Sequence, residues 1–222
     1  MKLEPNRFGK VWLNCASSIN VVPDFINLDN HIWLRVLPVF KFTKGLIPSK
    51  YRASISRLQE ASEIAPIVKH DCIKPLPSPD NSIDHVLCSH FLEHVYPEQA
   101  QRIVNDFFRA LKPGGTVHLI VPDLKLQIQK YQDAKSDNTQ AADNFMEEML
   151  ISKRKQPSWR FQVLQTIGNF GLDHKWMYDQ DSLTALAQAA GFEIQKQNET
   201  PSKEIRLNDG ESAHVVGVKP IS

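Results

Sequence analysis

The chain has 222 residues, of which 41% are apolar and 23% are charged. This composition is typical of a globular protein and excludes a disordered or fibrous chain. A formal net charge of +1 provides no general attraction to nucleic acid, so we expect no nucleic-acid partner.

The cysteine pattern and the N-terminal residues favour one cellular compartment. Cys15, Cys72 and Cys88 are an odd number without C-x-x-C spacing, which argues against a disulfide framework and a zinc ribbon. Residues 1–10 are polar and contain no signal-peptide core. The sequence also has no apolar run of about 18 residues. We therefore expect one soluble domain over residues 1–222, located in the reducing cytoplasm.

Short apolar runs rich in β-formers alternate with longer connections. In chain order the predicted strands are Val11–Cys15, Phe25–Leu28, Ile67–His70, His85–Cys88, Thr116–Val121, Phe192–Lys196 and His214–Lys219. Strands separated by connections long enough for a helix predict an α/β fold with a parallel sheet.

Two of the connections contain amphipathic helices. Residues Pro97–Leu111 place their apolar side chains on one helical face, and the sequence Lys-Pro-Gly-Gly at 112–115 predicts the end of that helix. Asp181–Ala190 is a second predicted helix, ended by Gly191. A third region, at about 124–165, is polar and helical in tendency.

A basic segment over residues 31–57 follows the second strand, within a predicted insertion at about 31–66. It contains six cations and no acidic residue, namely Arg35, Lys41, Lys44, Lys50, Arg52 and Arg57. Three interpretations remain open: a lid over a ligand, a weak contact with an anionic glycolipid or membrane surface, or a helical cover over the sheet. We favour the helical cover.

The middle of the chain carries a block of motifs. Residues 71–84 read DCIKPLPSPDNSID, residues 89–94 read SHFLEH, and residues 109–115 read RALKPGG. In this order they resemble the central block of the class I S-adenosylmethionine-dependent methyltransferases. The resemblance implies a Rossmann-like, doubly wound, mostly parallel seven-stranded sheet with an antiparallel last strand. It also implies S-adenosylmethionine as cofactor and methyl transfer as the reaction.

A second stretch narrows the resemblance. Residues 174–179, HKWMYD, are similar to a subset of these enzymes that is often linked with surface polysaccharide synthesis. That likeness implies a small-molecule, saccharide or glycolipid acceptor.

Ligands of open α/β sheets bind beyond the carboxyl ends of the strands. Asp29 ends the second predicted strand, where a carboxylate can accept hydrogen bonds from ribose hydroxyls; the alternative is that it caps its own loop. The resemblance places Asp71 and the Cys72 amide near the adenine, and Ser89 and His90 near the methionine part. The remaining expected cofactor contacts come from the end of the first strand and its loop, namely Asn14, Cys15, Ala16, Ser17 and Ser18.

The first loop departs from the family. Where the family has a pattern close to Gly-Cys-Gly, this chain has Ala16, Ser17 and Ser18. A non-glycine residue at positive φ costs about 1 kcal/mol or more. If both residues bear that cost on binding, the affinity for the cofactor falls by roughly tenfold to a hundredfold. A non-catalytic member that serves as a binding or assembly module is therefore the alternative function.

Methylation of a hydroxyl needs a base near the methyl group. The candidate catalytic residues are His90, His174 and Asp123, and Tyr178 is a further group on the acceptor side. The alternative for residues 174–178 is that they pack over the sheet, with Trp176 buried.

The sequence His90-Phe-Leu-Glu-His94 also matches the H-x-x-E-H pattern of inverted zinc peptidases. On a helix these two histidines would lie one turn apart and could share a metal. Because the flanking residues read as strand, turn and helix, we favour the alternative that His90 lines a pocket and His94 caps or packs the turn after the strand, and we expect no metal.

Overall fold

The protein is described here by a computed structural model, which covers residues 3–43, 45, 47, 49–134, 139–150, 173–195 and 210–221. Within these residues the strands are β1 (Trp12–Cys15), β2 (Ile26–Asp29), β3 (Ile67–Lys69), β4 (Ile83–Ser89), β5 (Leu111–Pro122), β6 (Glu193–Gln195) and β7 (Ser212–Val218). They form one sheet in the order β3-β2-β1-β4-β5-β7-β6. The first five strands are parallel, whereas β7 is antiparallel to β5 and to β6. The predicted seven-stranded, mostly parallel sheet with an antiparallel last strand is confirmed.

The described helices are α1 (Phe40–Thr43), α2 (Ser49–Ile64), α3 (Pro97–Ala110), α4 (Leu124–Ala134), α5 (Ala141–Glu148) and α6 (Gln180–Ala189). Helix α2 provides the crossover that parallel pairing of β2 with β3 requires. Helices α4 and α5 lie in the region predicted as helical, of which residues 135–138 and 151–165 lie outside the described part of the chain. No helix among the described residues is both long and apolar enough to cross a membrane.

Helix α3 shows how the apolar pattern sets the packing. Its buried residues recur at helical spacing and join the main core, namely Ala100, Ile103, Val104, Phe107 and Ala110. Pro97 stands in the first turn, where it needs no amide hydrogen. The helix ends at an extended Leu111, with ψ of 140°, and not at a glycine as predicted. The chain passes directly into β5, whose pairing with β4 begins at Leu111 and resumes at Thr116.

The sheet interior contains polar side chains whose protonation depends on burial. His85, on β4, shares a 2.6 Å hydrogen bond with Thr116 of β5 and is 2% exposed. Burial, with a smaller contribution from His118, lowers the pKa of His85 to about 3. This histidine is therefore neutral at physiological pH.

Lys219 connects the end of the last strand to helix α3. Its ammonium donates hydrogen bonds to Asn81 Oδ1 at 2.7 Å, to the Phe108 carbonyl at 2.8 Å and to the Leu111 carbonyl at 2.9 Å. The last carbonyl groups of a helix have no partner within the helix, so a cation there stabilises its end.

Candidate functional site

The strand order reverses between β1 and β4, which lie side by side at the centre of the sheet. In an open α/β sheet this switch point opens a crevice beyond the carboxyl ends of the strands. The predicted site residues follow β1, β2, β3 and β4 at this end, so the topology places them around one crevice.

The loop after β1 takes the backbone path that glycine usually takes. Ala16 and Ser18 have φ of 56° and 48°, in the left-handed region that side chains disfavour. The amide of Ser17 donates to the Leu28 carbonyl at 2.9 Å, which joins the loop to β2. The positive φ that the sequence predicted to be strained at these two positions is therefore present in the folded chain.

Asp29, the last residue of β2, holds the loop in this path. Its Oδ2 accepts from the Ser18 amide at 2.8 Å, and its Oδ1 accepts from the His31 amide at 2.6 Å. The loop-capping alternative therefore describes the contacts of this carboxylate. A carboxylate has about four acceptor sites, so each oxygen can accept a further hydrogen bond.

Asp71 lies just beyond β3 and is less engaged by its own chain. Its Oδ1 accepts from the Ile73 amide at 3.2 Å, and its Oδ2 lies 3.9 Å from Lys74 Nζ. Two polar atoms that follow strands at this end of the sheet are buried without a hydrogen-bond partner among the described residues, namely Ser17 Oγ after β1 and His70 Nε2 after β3. Neither position was predicted from the sequence as an unsatisfied group, because a burial of this kind depends on the fold.

Three of the expected cofactor contacts have their side chains committed elsewhere. The amide of Asn14 donates to Asn27 Oδ1 and to the Asn20 carbonyl, each at 2.9 Å. The pKa of Cys15 is raised well above its usual value, first by a hydrogen bond with Cys72 and then by burial. The thiols of Cys15 and Cys72 are buried in the core, so contact with a ligand at these positions is left to the backbone.

Beyond β4 the chain bends sharply at His90, which has φ of 51° and follows the half-buried Ser89. The His90 amide donates to the Ile120 carbonyl at 2.9 Å, and its half-exposed side chain places Nδ1 3.5 Å from Glu93 Oε1. A 3₁₀ turn, Leu92–His94, and then α3 follow. The strand, turn and helix expected from the flanking sequence are confirmed, so His90 and His94 do not share a helix.

The segment 173–178 lies against this turn. The amides of Lys175 and Trp176 both donate to the Glu93 carbonyl, at 2.7 Å and 3.2 Å. His174 is thereby brought beside His94, with ring centroids 5.0 Å apart. Trp176 is 51% exposed, so the expectation that it is buried is wrong. Its ring is left outside because the segment is attached through its backbone.

Asp123 and Tyr178 lie at the end of β5. They form a β-bridge, and Asp123 Oδ1 accepts from the Lys125 amide at 2.8 Å in the first turn of α4. Burial, and then the charge of Glu93, raise the pKa of Tyr178 to about 12, so its hydroxyl stays protonated. Asp123 is thus engaged by the backbone of α4.

Glu93 was not predicted from the sequence as a site residue. It is 1% exposed, and neither carboxylate oxygen has a hydrogen-bond partner among the described residues. The pKa of His174 is lowered by burial, although the charge of Glu93 opposes the shift. His174 is therefore neutral near pH 7, as a general base must be. The H-x-x-E-H pattern was the available signal for Glu93.

Comparisons with known proteins find a domain match in the middle of the chain and solved structures that share the fold. A family model described as a methyltransferase domain matches residues 42–119. Among solved structures, an S-adenosylmethionine-dependent methyltransferase of Methanosarcina mazei is 16% identical, with a TM-score of 0.51 over 99% of this chain and 95% of that one. The complex of the Haloferax volcanii Trm112 methyltransferase activator with the putative methyltransferase gives 12% identity and a TM-score of 0.52, over 96% of this chain and 83% of that one.

A protein of Pyrococcus horikoshii gives 14% identity and a TM-score of 0.51, over 95% of this chain and 82% of that one. No curated protein matches the chain in sequence. At these identities the solved structures show that the fold is shared, and the domain match covers the middle of the chain.

Proposed function

We propose that this protein transfers a methyl group from S-adenosylmethionine to an oxygen or nitrogen of a small-molecule, saccharide or glycolipid acceptor. The observation that carries the proposal is the placement of two carboxylates, Asp29 and Asp71, at the ends of the neighbouring strands β2 and β3, on the β1 side of the switch point. The methyltransferase-domain match over residues 42–119 supports it.

The residues present fit the cofactor. Asp29 keeps acceptor capacity for ribose hydroxyls after its two backbone contacts. Asp71 and the Cys72 amide would bind the adenine, and Ser89 and His90 the methionine part. Buried polar atoms without partners, Ser17 Oγ and His70 Nε2, are suited to a polar ligand. When bound, S-adenosylmethionine supplies an electrophilic methyl group.

On the acceptor side we assign the base to His174, with His90 as the second candidate. The imidazole of His174 is neutral near pH 7 because burial lowers its pKa. A neutral imidazole can take the proton of an attacking hydroxyl as the methyl group is transferred. Asp123 is a weaker candidate because its carboxylate accepts a hydrogen bond from the backbone of α4.

The alternative is a non-catalytic binding or assembly module. The first loop favours it, since Ala16 and Ser18 carry Cβ atoms where the family has glycine, and both oxygens of Asp29 already accept from the chain. In this alternative the crevice would not bind the nucleoside.

Calorimetry with S-adenosylhomocysteine separates the two functions. We expect the wild-type protein to bind, and Asp71→Asn to bind at least about tenfold more weakly, because a charged hydrogen-bond acceptor is lost. Asp181→Asn is the matched control, since this exposed residue in α6 lies outside the crevice. An absence of binding to the wild type at millimolar ligand would favour the non-catalytic module.

The basic segment over residues 31–57 is proposed as a cover on the sheet. Phe40 and Ile55 are buried at 2% exposure or less, so apolar side chains of this region are removed from solvent, as a packed cover requires. Flotation with anionic vesicles tests the membrane-surface alternative. Recovery of the protein with the vesicles would contradict a purely structural cover.

A further inference from the structure

Three potential ligand side chains converge where the segment 173–178 meets the end of β4. One ligand atom from each of Glu93, His94 and His174 lies within 4.8 Å of the other two. We call these residues the Glu93 cluster. Glu93 and His94 come from the 3₁₀ turn after β4, and His174 is held there through the Lys175 and Trp176 amides.

Glu93 introduces a buried carboxylate without a matching donor. The nearest described groups that could carry a positive charge are His90 Nδ1, at 3.5 Å, and His94 Nε2, at 3.9 Å. Both distances exceed those of charge-assisted hydrogen bonds, about 2.7–2.9 Å. A buried carboxylate is costly unless it is paired with a cation or fully hydrogen-bonded.

The ring of His94 is oriented by its own chain. Its Nδ1 lies 3.4 Å from the Asp173 carbonyl oxygen, and its Nε2 lies on the side of Glu93, 3.9 Å from Oε1. A metal-binding histidine commonly has its other ring nitrogen held by a carbonyl in this way.

His174 contributes a third unsatisfied atom. Its Nδ1 is buried and has no hydrogen-bond partner among the described residues. Its ring meets that of His94 edge to face, with the centroids 5.0 Å apart. Two imidazole nitrogens and one carboxylate oxygen therefore surround one small volume.

We propose that Glu93, His94 and His174 bind one divalent transition-metal ion, with Zn²⁺ preferred over Mg²⁺. Zn²⁺ binds imidazole nitrogen and carboxylate oxygen at about 2.0–2.2 Å, whereas Mg²⁺ prefers oxygen ligands and retains its waters. The cluster contains Glu93 and His94 of the H-x-x-E-H pattern but not His90. The chain bends sharply at His90, so the pattern does not form one helix, and His174 provides the second imidazole. Our expectation of no metal, made from the sequence, is replaced by this proposal.

Three protein ligands leave at least one coordination position for water or another oxygen. A role of this position in binding the acceptor rests on the proposed methyl transfer; the metal site itself does not. A bound ion would occupy the lone pair of His174, so with the metal in place the base would be His90, the second candidate.

The test is calorimetric titration of the full-length, tag-free and metal-free protein with Zn²⁺, Mn²⁺ and Mg²⁺ in turn, with the metal content measured after dialysis. We expect one Zn²⁺ per chain, with weaker binding of Mn²⁺ and weaker still of Mg²⁺. Glu93→Gln and His174→Ala should each weaken Zn²⁺ binding by at least about a hundredfold, the upper range found when a supporting residue of a metal site is changed.

Two matched controls account for surface binding. Glu98→Gln removes a side chain that is 84% exposed on α3, and His31→Asn removes a histidine after β2 while keeping a short polar acceptor. Both should bind Zn²⁺ like the wild type. Circular dichroism establishes that each variant folds, and if Glu93→Gln does not, His174→Ala decides the result.

Wild-type protein that binds no Zn²⁺, or binding that survives in the folded cluster variants, would overturn the metal site. Binding of S-adenosylhomocysteine is measured separately on the same metal-free protein. If the protein binds Zn²⁺ but not S-adenosylhomocysteine, the proposed function is wrong and the metal site is retained.

Discussion

Asp29→Asn tests whether this carboxylate holds the first loop in the shape that the structure shows. Each oxygen accepts from a backbone amide, that of Ser18 at 2.8 Å and that of His31 at 2.6 Å. An asparagine retains one acceptor oxygen but turns an NH₂ group towards the other amide. One charged hydrogen bond is lost and two donors face each other.

A hydrogen bond to a charged group contributes about 1.5–3 kcal/mol. Asp29 is half-buried, so water replaces part of the loss, and we expect a destabilisation of about 1–2 kcal/mol. For a chain of this size each kcal/mol lowers Tm by about 2–4 °C, which gives a decrease of about 2–8 °C.

Thermal unfolding followed by circular dichroism, without ligand, measures the effect. Asp71→Asn is the comparison, because among the described residues that carboxylate accepts one hydrogen bond, from the Ile73 amide at 3.2 Å. Its Tm should change by less than about 2 °C. If Asp29→Asn melts at the wild-type temperature, or if Asp71→Asn is equally destabilised, the assignment of Asp29 as the residue that holds the loop is refuted.

Three further predictions concern the loop, the buried histidine and the end of the last strand. In Ala16→Gly/Ser18→Gly the relief of positive-φ strain, about 1 kcal/mol per site, is largely offset by backbone entropy, so Tm should stay within about 3 °C. Because Asp29 holds the loop in this path, S-adenosylhomocysteine should bind to the variant less than about tenfold more tightly by calorimetry, and a hundredfold gain would contradict this. Burial lowers the pKa of His85 to about 3, whereas the pKa in the unfolded chain is about 6.5. Between these two pH values the unfolded chain binds a proton at His85 that the folded chain does not. The free energy of unfolding therefore falls as the pH decreases from about 6.5 towards 3. In urea unfolding at pH 7, 6 and 5, His85→Gln should show a pH slope smaller by up to about 1.4 kcal/mol per unit, and an unchanged slope would refute the assignment. Lys219→Met removes three hydrogen bonds and should lower Tm by about 4–8 °C. The control Lys130→Met removes an exposed ion pair and should change Tm by less than about 3 °C. Equal effects of the two substitutions would contradict a role for Lys219 at the end of α3.

The secondary structure followed from local pattern. The apolar face of α3 predicted its packing because a helix can bury only residues that recur near every 3.6 positions. Gly191, with φ of 102°, ends α6 as expected. The end of α3 was predicted at nearly the right residue for a different reason, since extended Leu111 enters β5 at once.

The first loop shows where local reasoning was incomplete. The sequence identified Ala16 and Ser18 as bulky substitutes for glycine, and both do have positive φ. What the sequence did not show was the contact that stabilises this path. In the folded chain the Asp29 carboxylate accepts a hydrogen bond from the Ser18 amide.

The amino-acid sequence by itself determined the order of strands and helices, the acidic residues at strand ends and the resemblance to methyltransferases. These features depend on short-range spacing, so they can be read along the chain. Only the tertiary structure brought His174 to Glu93 and His94, because these residues are far apart along the chain. The contact depends on the hydrogen bonds that the Lys175 and Trp176 amides donate to the Glu93 carbonyl. Burial of the Glu93 carboxylate was decided in the same way, since desolvation depends on every segment that packs around it.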